Sequence, residues 1–334
     1  MKPFAHRPLP SFLPANARGR SWLFTCLLAC LVLALWGCAA APPLTTAPAD
    51  HASSQTLPPA SPPPEVEVEE PPPSKPVLKL GLALGGGAAR GFAHIGVIQV
   101  LEEAGIRPDL VCGTSAGSLV AALYASGKNG QALQQVALTM DEAVITDWTL
   151  PFVSRGVLKG EALGRYVDGL VGRRTIENLK IPLGIVATDL RTGEGILFQR
   201  GSTALAVRAS SAVPGVFEPV RIAGRDYVDG GLVAPVPVGY ARQMGANFVI
   251  AVDISSPPDD SDNTGTLQIV LQTFAIMSKS INRYELKQAD LVIKPALTGV
   301  TSTNFAARRQ AIESGRRAML MALPALKAAL AASP

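Results

Sequence analysis

The chain is poor in histidine. Its 334 residues hold three, His6, His51 and His94, and all of them precede the serine of the chain's sharpest motif, Ser115. A catalytic order of serine, then acid, then histidine is therefore excluded. Cysteine is as scarce. Cys26, Cys30 and Cys38 fall in the first 38 residues, which leaves Cys112 alone in the rest and no disulfide there. Cys112 sits in an apolar run and reads as a buried strand residue rather than a reactive thiol. No acid precedes Asp50, while Lys2, Arg7, Arg18 and Arg20 supply four positive charges. The formal net charge is +4, so the remainder is neutral. A neutral domain lacks the basic face that nucleic acid requires. No repeat of fixed period is visible.

What the N-terminus does have is an address. Four basic residues lead into an apolar run over residues 22–36, the length of a signal-peptide core and short of the ~20 residues a spanning helix wants. It ends in Leu35-Trp36-Gly37-Cys38 followed by Ala39-Ala40, which resembles the lipobox of bacterial lipoproteins. That resemblance implies diacylation of Cys38, with residues 1–37 removed as a signal peptide. Trp36 departs from it, because a small residue is usual there, and an uncleaved membrane anchor is the alternative. Both place the domain outside the cytoplasm. Ala39 is similar to the residue found in outer-membrane-sorted lipoproteins. The expected location is the bacterial cell envelope, lipid-anchored at the outer membrane and facing the periplasm. Residues 38–76 are rich in Pro, Ala and Ser, with the acidic patch of Glu65, Glu67, Glu69 and Glu70. Such a segment buries too little apolar surface to fold. As an extended tether it could reach roughly 100 Å.

From residue 77 short apolar runs alternate with helical periods. The spacing predicts strands at 77–84, 181–190, 195–199 and 248–254. It predicts helices near 131–142, 159–171, 203–211, 267–286 and 308–330. Strands alternating with helices indicate an α/β domain with a largely parallel sheet buried on both faces. The expected boundaries are a domain at 77–257 and a helical part at 258–334 packed on it.

Two glycine-rich junctions carry the chemistry. Gly85-Gly86-Gly87-Ala88-Ala89-Arg90-Gly91 follows the first strand and opens a helix. Glycines there expose backbone N–H groups as an anion cradle. A dinucleotide-phosphate loop is one reading, but the sixth position of that pattern is Arg90 and no acid ends the following strand. An oxyanion hole is the better reading, because Gly113-Thr114-Ser115-Ala116-Gly117 comes one strand later. This is a G-x-S-x-G frame, in which a tight strand-to-helix turn pushes a serine hydroxyl out of the sheet. Gly113 and Gly117 leave room for the turn. A serine nucleophile needs a base, and the candidates are a carboxylate, a lysine or His94. Among carboxylates Asp229 stands out, since Gly230 and Gly231 follow it and clear space for another element. Asp189 and Asp253 also end strands and read as turn-capping residues.

These motifs, in this order, resemble those of the patatin-like phospholipases, most closely the bacterial members similar to the neuropathy-target-esterase group. Ala187-Thr188-Asp189-Leu190 and the segment 208–215 add to the resemblance, which covers about residues 80–242. It implies a three-layer α/β/α fold and a Ser-Asp dyad, with Ser115 as nucleophile and Asp229 as proton acceptor. Gly85, Gly86 and Gly87 would form the oxyanion hole, with Arg90 positioning the loop. No metal or cofactor is implied. The implied substrate is a fatty-acyl ester of a membrane lipid, a phospholipid or lysophospholipid, which an N-terminal lipid anchor would keep close. The alternative from another class is a lipid-binding or envelope-assembly factor that keeps the fold without turnover.

Overall fold

The computed structural model describes residues 77–141, 158–256 and 265–332. The expected signal segment, Cys38, the expected tether and the start of the expected 258–334 part lie outside the described residues.

Eight strands form one sheet: β1 (Leu80–Leu84), β2 (Leu110–Thr114), β3 (Leu183–Asp189), β4 (Gly195–Phe198), β5 (Val220–Ile222), β6 (Arg225–Asp229), β7 (Phe248–Val252) and β8 (Leu291–Ile293). Hydrogen-bonded neighbours run β5-β6-β3-β2-β1-β7-β8, with β4 also on β3. The five strands from β3 to β8 are parallel, and β4, β5 and β6 join by antiparallel pairing. The sheet is therefore mixed, parallel through its middle and antiparallel at one end. Eight α-helices are described: α1 (Ala93–Glu103), α2 (Ala116–Ala125), α3 (Gly130–Thr139), α4 (Glu161–Val171), α5 (Thr203–Ser210), α6 (Val238–Gln243), α7 (Thr266–Glu285) and α8 (Arg308–Ala332).

The strand residues alternate between two cores, as a pleated sheet requires. Leu80, Leu82 and Leu84 of β1 pack with α1, α2 and α8 on one face. Ala83 of β1 and Cys112 of β2 face the other way, onto Val238 and Ala241 of α6. Helices on both faces of one sheet make the three-layer α/β/α fold that the resemblance implies. Strand β8 and helix α6 are too short to show as periodic runs in the sequence. Helix α8 closes the first face by a near approach to α1. A Cβ on Gly315 would lie 1.9 Å from Ala93 O, and one on Gly96 would lie 2.0 Å from Ile312 O, so only glycines allow this crossing.

The register of β3 decides what comes together. Its residues Val111-facing Leu183 through Thr114-facing Val186 pair with β2. Its other edge pairs with β4, Ile185 with Phe198 and Thr188 with Gly195. A strand has two edges, so β6, which pairs Ala187 with Asp229, takes the β2 edge just where β2 ends. Asp229 is thus placed one step beyond Thr114, at the mouth of the turn that carries Ser115.

Candidate active site

Ser115 stands between β2 and α2 with φ 53° and ψ −124°. A non-glycine residue in that region is strained and persists only where its surroundings hold it. Four hydrogen bonds do so. The Ser115 N–H donates to Ser210 Oγ at 2.8 Å, and Ser210 Oγ donates in turn to Val186 O at 2.6 Å. Thr114 Oγ1 donates to Ala234 O at 2.8 Å, and Ser118 Oγ to Ser115 O at 2.6 Å. Gly113 and Gly117 are obligatory. A Cβ on Gly113 would lie 2.5 Å from Gly117 O, and one on Gly117 would lie 2.1 Å from Leu84 O.

Asp229 is buried, with 1% of its surface exposed. Its Oδ1 accepts from Gly231 N at 2.7 Å, and its backbone O accepts from Thr188 Oγ1 at 2.9 Å. Oδ2 is buried with no donor at full hydrogen-bond geometry. Of the side chains around it, Ser115 is the one that favours its charged form. Desolvation pushes the Asp229 carboxyl up to about 6, against the lowering effects of Ser115 and the Gly231 amide. A carboxylate with a proton affinity near neutrality, beside a serine hydroxyl, suits a general base. Gly230 is forced by the same approach, since a Cβ there would lie 2.2 Å from Val186 O.

The glycine loop lies over the serine. A Cβ on Gly86 would be 3.1 Å from Ser115 Cβ, and one on Gly91 would be 2.8 Å from Ala116 Cβ. Its amides divide in a way the sequence does not reveal. Gly85 N donates to Val252 O at 3.1 Å and Gly86 N to Pro235 O at 2.9 Å. Those two N–H groups are occupied by backbone carbonyls. Gly87 N and Ala88 N have no acceptor among the described residues. Ala88 holds φ +48°, so its place in the loop costs backbone strain. Arg90 is turned away from Ser115. Its guanidinium donates to Ile254 O, Ser255 O and Val300 O at 2.7, 3.0 and 3.2 Å, tying the loop to the chain after β7.

His94 is fully buried, and its Nε2 lies 2.8 Å from Gly85 O. A carbonyl only accepts, so Nε2 carries the proton and supports the loop from beneath. Burial pushes its pKa down to about 4, so the ring is neutral at pH 7. Asp189 accepts from the Arg191 and Thr192 amides and pairs with Arg225, while Asp253 accepts from Ser255 and pairs with Lys294. Both cap turns. Cys112 is a buried free thiol whose pKa is raised by desolvation. No cluster of metal-ligating side chains occurs among the described residues. Ser210 is the residue that sequence reasoning missed. Its place in a run of small residues carries no sign that its hydroxyl meets the Ser115 amide.

Residues 82–242, which contain the glycine loop, the serine turn and Asp229, match the profile of the patatin-like phospholipase family. An uncharacterized NTE family protein of Mycobacterium tuberculosis is 39% identical over 178 residues, which is 53% of this chain and 49% of that protein. Patatin-like phospholipase domain-containing protein 6 of Mus musculus is 34% identical over 231 residues, 67% of this chain and 16% of that protein. The chain thus spans about half, or less, of the length of the curated relatives it matches. Among solved structures, VipD from Legionella pneumophila aligns with a TM-score of 0.49 at 16% identity, over 74% of this chain and 67% of that chain. The matched segment ends within α6, so β7, β8, α7 and α8 lie outside it.

Proposed function

We propose that the chain is a serine acyl-ester hydrolase acting on membrane lipids, with Ser115 and Asp229 as its dyad. One observation carries the reading: strand pairing sets a buried carboxylate, whose pKa is pushed up to about 6, beside the turn that holds a strained serine. In the first step Asp229 takes the Ser115 proton while Oγ attacks the acyl carbonyl. The Gly87 and Ala88 amides, with the first amides of α2, are the donors available to the oxyanion. Asp229 then returns its proton to the leaving alkoxide, and an acyl-enzyme remains. Water gives a proton to Asp229 and attacks the acyl carbon, the fatty acid leaves, and the Asp229 proton goes back to Ser115. The dyad needs no imidazole, and His94 Nε2 is engaged with Gly85 O.

The decisive experiment compares wild type with Ser115→Ala on a short-chain p-nitrophenyl ester and on a phospholipid and lysophospholipid panel. The variant should lose at least ~10³ in rate while melting normally, and a fluorophosphonate should label only the wild type. Wild-type inactivity on every ester, with lipid still bound, would favour a binding factor instead. We further propose that Cys38 carries lipid and holds the enzyme at the cell envelope. Metabolic palmitate label should appear on the wild type and vanish in Cys38→Ser, and label persisting in that variant would leave an uncleaved anchor as the explanation.

A further inference from the structure

Helix α7 is apolar on its outside. Its inner face carries the buried Ser278 and Asn282 together with the half-buried Leu271, Phe274 and Ile281. Its exposed positions include Leu267, Ile269, Val270, Ile276, Met277 and Tyr284, exposed by 41–70%. These are six of the eleven large apolar side chains left exposed among the described residues, so surface apolarity is concentrated on this one element. At helical spacing, Ile269, Ile276 and Tyr284 run along one line with Val270 and Met277 beside them. That line lies opposite Ser278 and Asn282. A surface helix normally turns polar residues outward, so this second apolar face is suited to an apolar covering.

The charges around it say what kind. Lys279 and Arg283 flank the apolar line, and no acid occurs from Thr266 to Tyr284. Glu285, at the helix end, is turned inward and accepts from Gly239 N at 3.1 Å. Lys287 follows, with its ammonium 5.7 Å from the Tyr284 ring centre. Asp259, Asp260 and Asp262 precede the helix, so the cationic half is its C-terminal half. An apolar face with cations on its margin fits the boundary between headgroups and acyl chains of an anionic bilayer. No described helix is long and apolar enough to cross a membrane, so α7 would lie in the surface plane.

The helix is also joined to the site. The Phe274 ring lies 2.8 Å from where a Cβ on Gly231 would be, and Gly231 N holds Asp229 Oδ1. Leu267 lies over Gly215, in the loop between α5 and β5. We infer that α7 docks the domain on the surface of an anionic phospholipid bilayer through its Ile269–Ile276–Tyr284 face, and so holds Ser115 and Asp229 at the lipid boundary. The second half of that statement rests on the hydrolase reading above; the docking itself does not.

Two measurements on the full chain test it. The first is hydrogen exchange of the Ser115→Ala protein with and without vesicles of phosphatidylcholine and phosphatidylglycerol. Peptides from α7 should become protected on vesicles, while peptides from α4 and β4 should not. An N-terminal anchor tethers every part of the chain alike, so protection confined to α7 reports docking by this face. Vesicle-bound protein whose α7 exchanges as in solution overturns the proposal, as does α7 protection that rises with protein concentration without lipid, which identifies a second copy as the occupant. The second is hydrolysis by Ile276→Glu/Met277→Glu and, separately, by Lys279→Glu/Arg283→Glu. Each should keep its rate on a soluble short-chain ester and lose about tenfold on vesicle lipid. Equal loss on both substrates, or none on vesicles, overturns the docking role. If the wild type hydrolyses neither substrate, the hydrolase reading fails, and the exchange result still decides the docking.

Discussion

The Asp229 carboxyl has a cost that can be measured. Its folded-state pKa is raised from 3.8 to about 6 by desolvation. The folded state therefore holds the proton more tightly, and stability falls as pH rises from about 4 to about 6. Above that window the full penalty, on the order of 3 kcal/mol, is present. Asp229→Asn keeps the acceptor for Gly231 N and has no charge to desolvate. It should raise the unfolding midpoint at pH 8, lose that advantage at pH 4, and be inactive at both. Thermal melts at the two pH values check this. The wild-type rate should climb with pH through about 6, as Asp229 becomes able to accept a proton; a profile flat across that range would remove it as the base. Ser210 is the second residue of consequence. Ser210→Ala deletes the acceptor of the Ser115 amide and the donor to Val186 O together. The expected loss is about 1–3 kcal/mol in stability, together with slower fluorophosphonate labelling of Ser115. Ser210→Thr, which keeps a hydroxyl, should restore part of the labelling rate.

Two glycines set apart what elements require from what they tolerate. Gly117 lies where α2 meets the end of β1, and a Cβ there would be 2.1 Å from Leu84 O. Gly117→Ala must push the helix off the strand and disturb the serine turn at its N-terminus. It should lower the melting point and abolish labelling by a fluorophosphonate. Gly169 is helical too, on the exposed side of α4, and a Cβ there meets nothing within 4 Å. Gly169→Ala should stabilise by about 1 kcal/mol, because alanine restricts the unfolded chain and suits a helix. Denaturant melts of the two variants should move in opposite directions.

Across the whole molecule, the last helix completes a layer begun by the first. Ala311, Ile312, Ala318, Met319 and Leu326 of α8 are buried in the core that β1 and α1 share. Each large apolar side chain buried contributes about 1.5–3 kcal/mol, and a domain's net stability is only about 5–15 kcal/mol. A chain ending at Ala307 should therefore fail to give a cooperative melt and should accumulate in the insoluble fraction. Arg90 makes the same point on the loop, since it joins carbonyls at Ile254, Ser255 and Val300 to a segment more than 150 residues earlier.

The sequence alone was enough for the serine turn, the glycine loop and Asp229, because each depends on backbone space or buried charge that only certain residue types supply. It also contained the helical period of α7 and the strand runs of the parallel middle. Only the tertiary structure decided that β6 takes over the β2 edge of β3, which sets Asp229 beside the serine turn. It decided which loop amides are occupied, leaving Gly87 and Ala88 instead of Gly85 and Gly86. It decided that Ser210 holds the Ser115 amide, and that α7 leaves a second apolar face turned outward. A periodic pattern gives a helix two faces without saying which meets the protein. A backbone amide shows no sign in the sequence of the carbonyl that will reach it from 150 residues away. Local sterics act between neighbours in the chain, whereas pairing and burial act between segments that only the complete fold brings together.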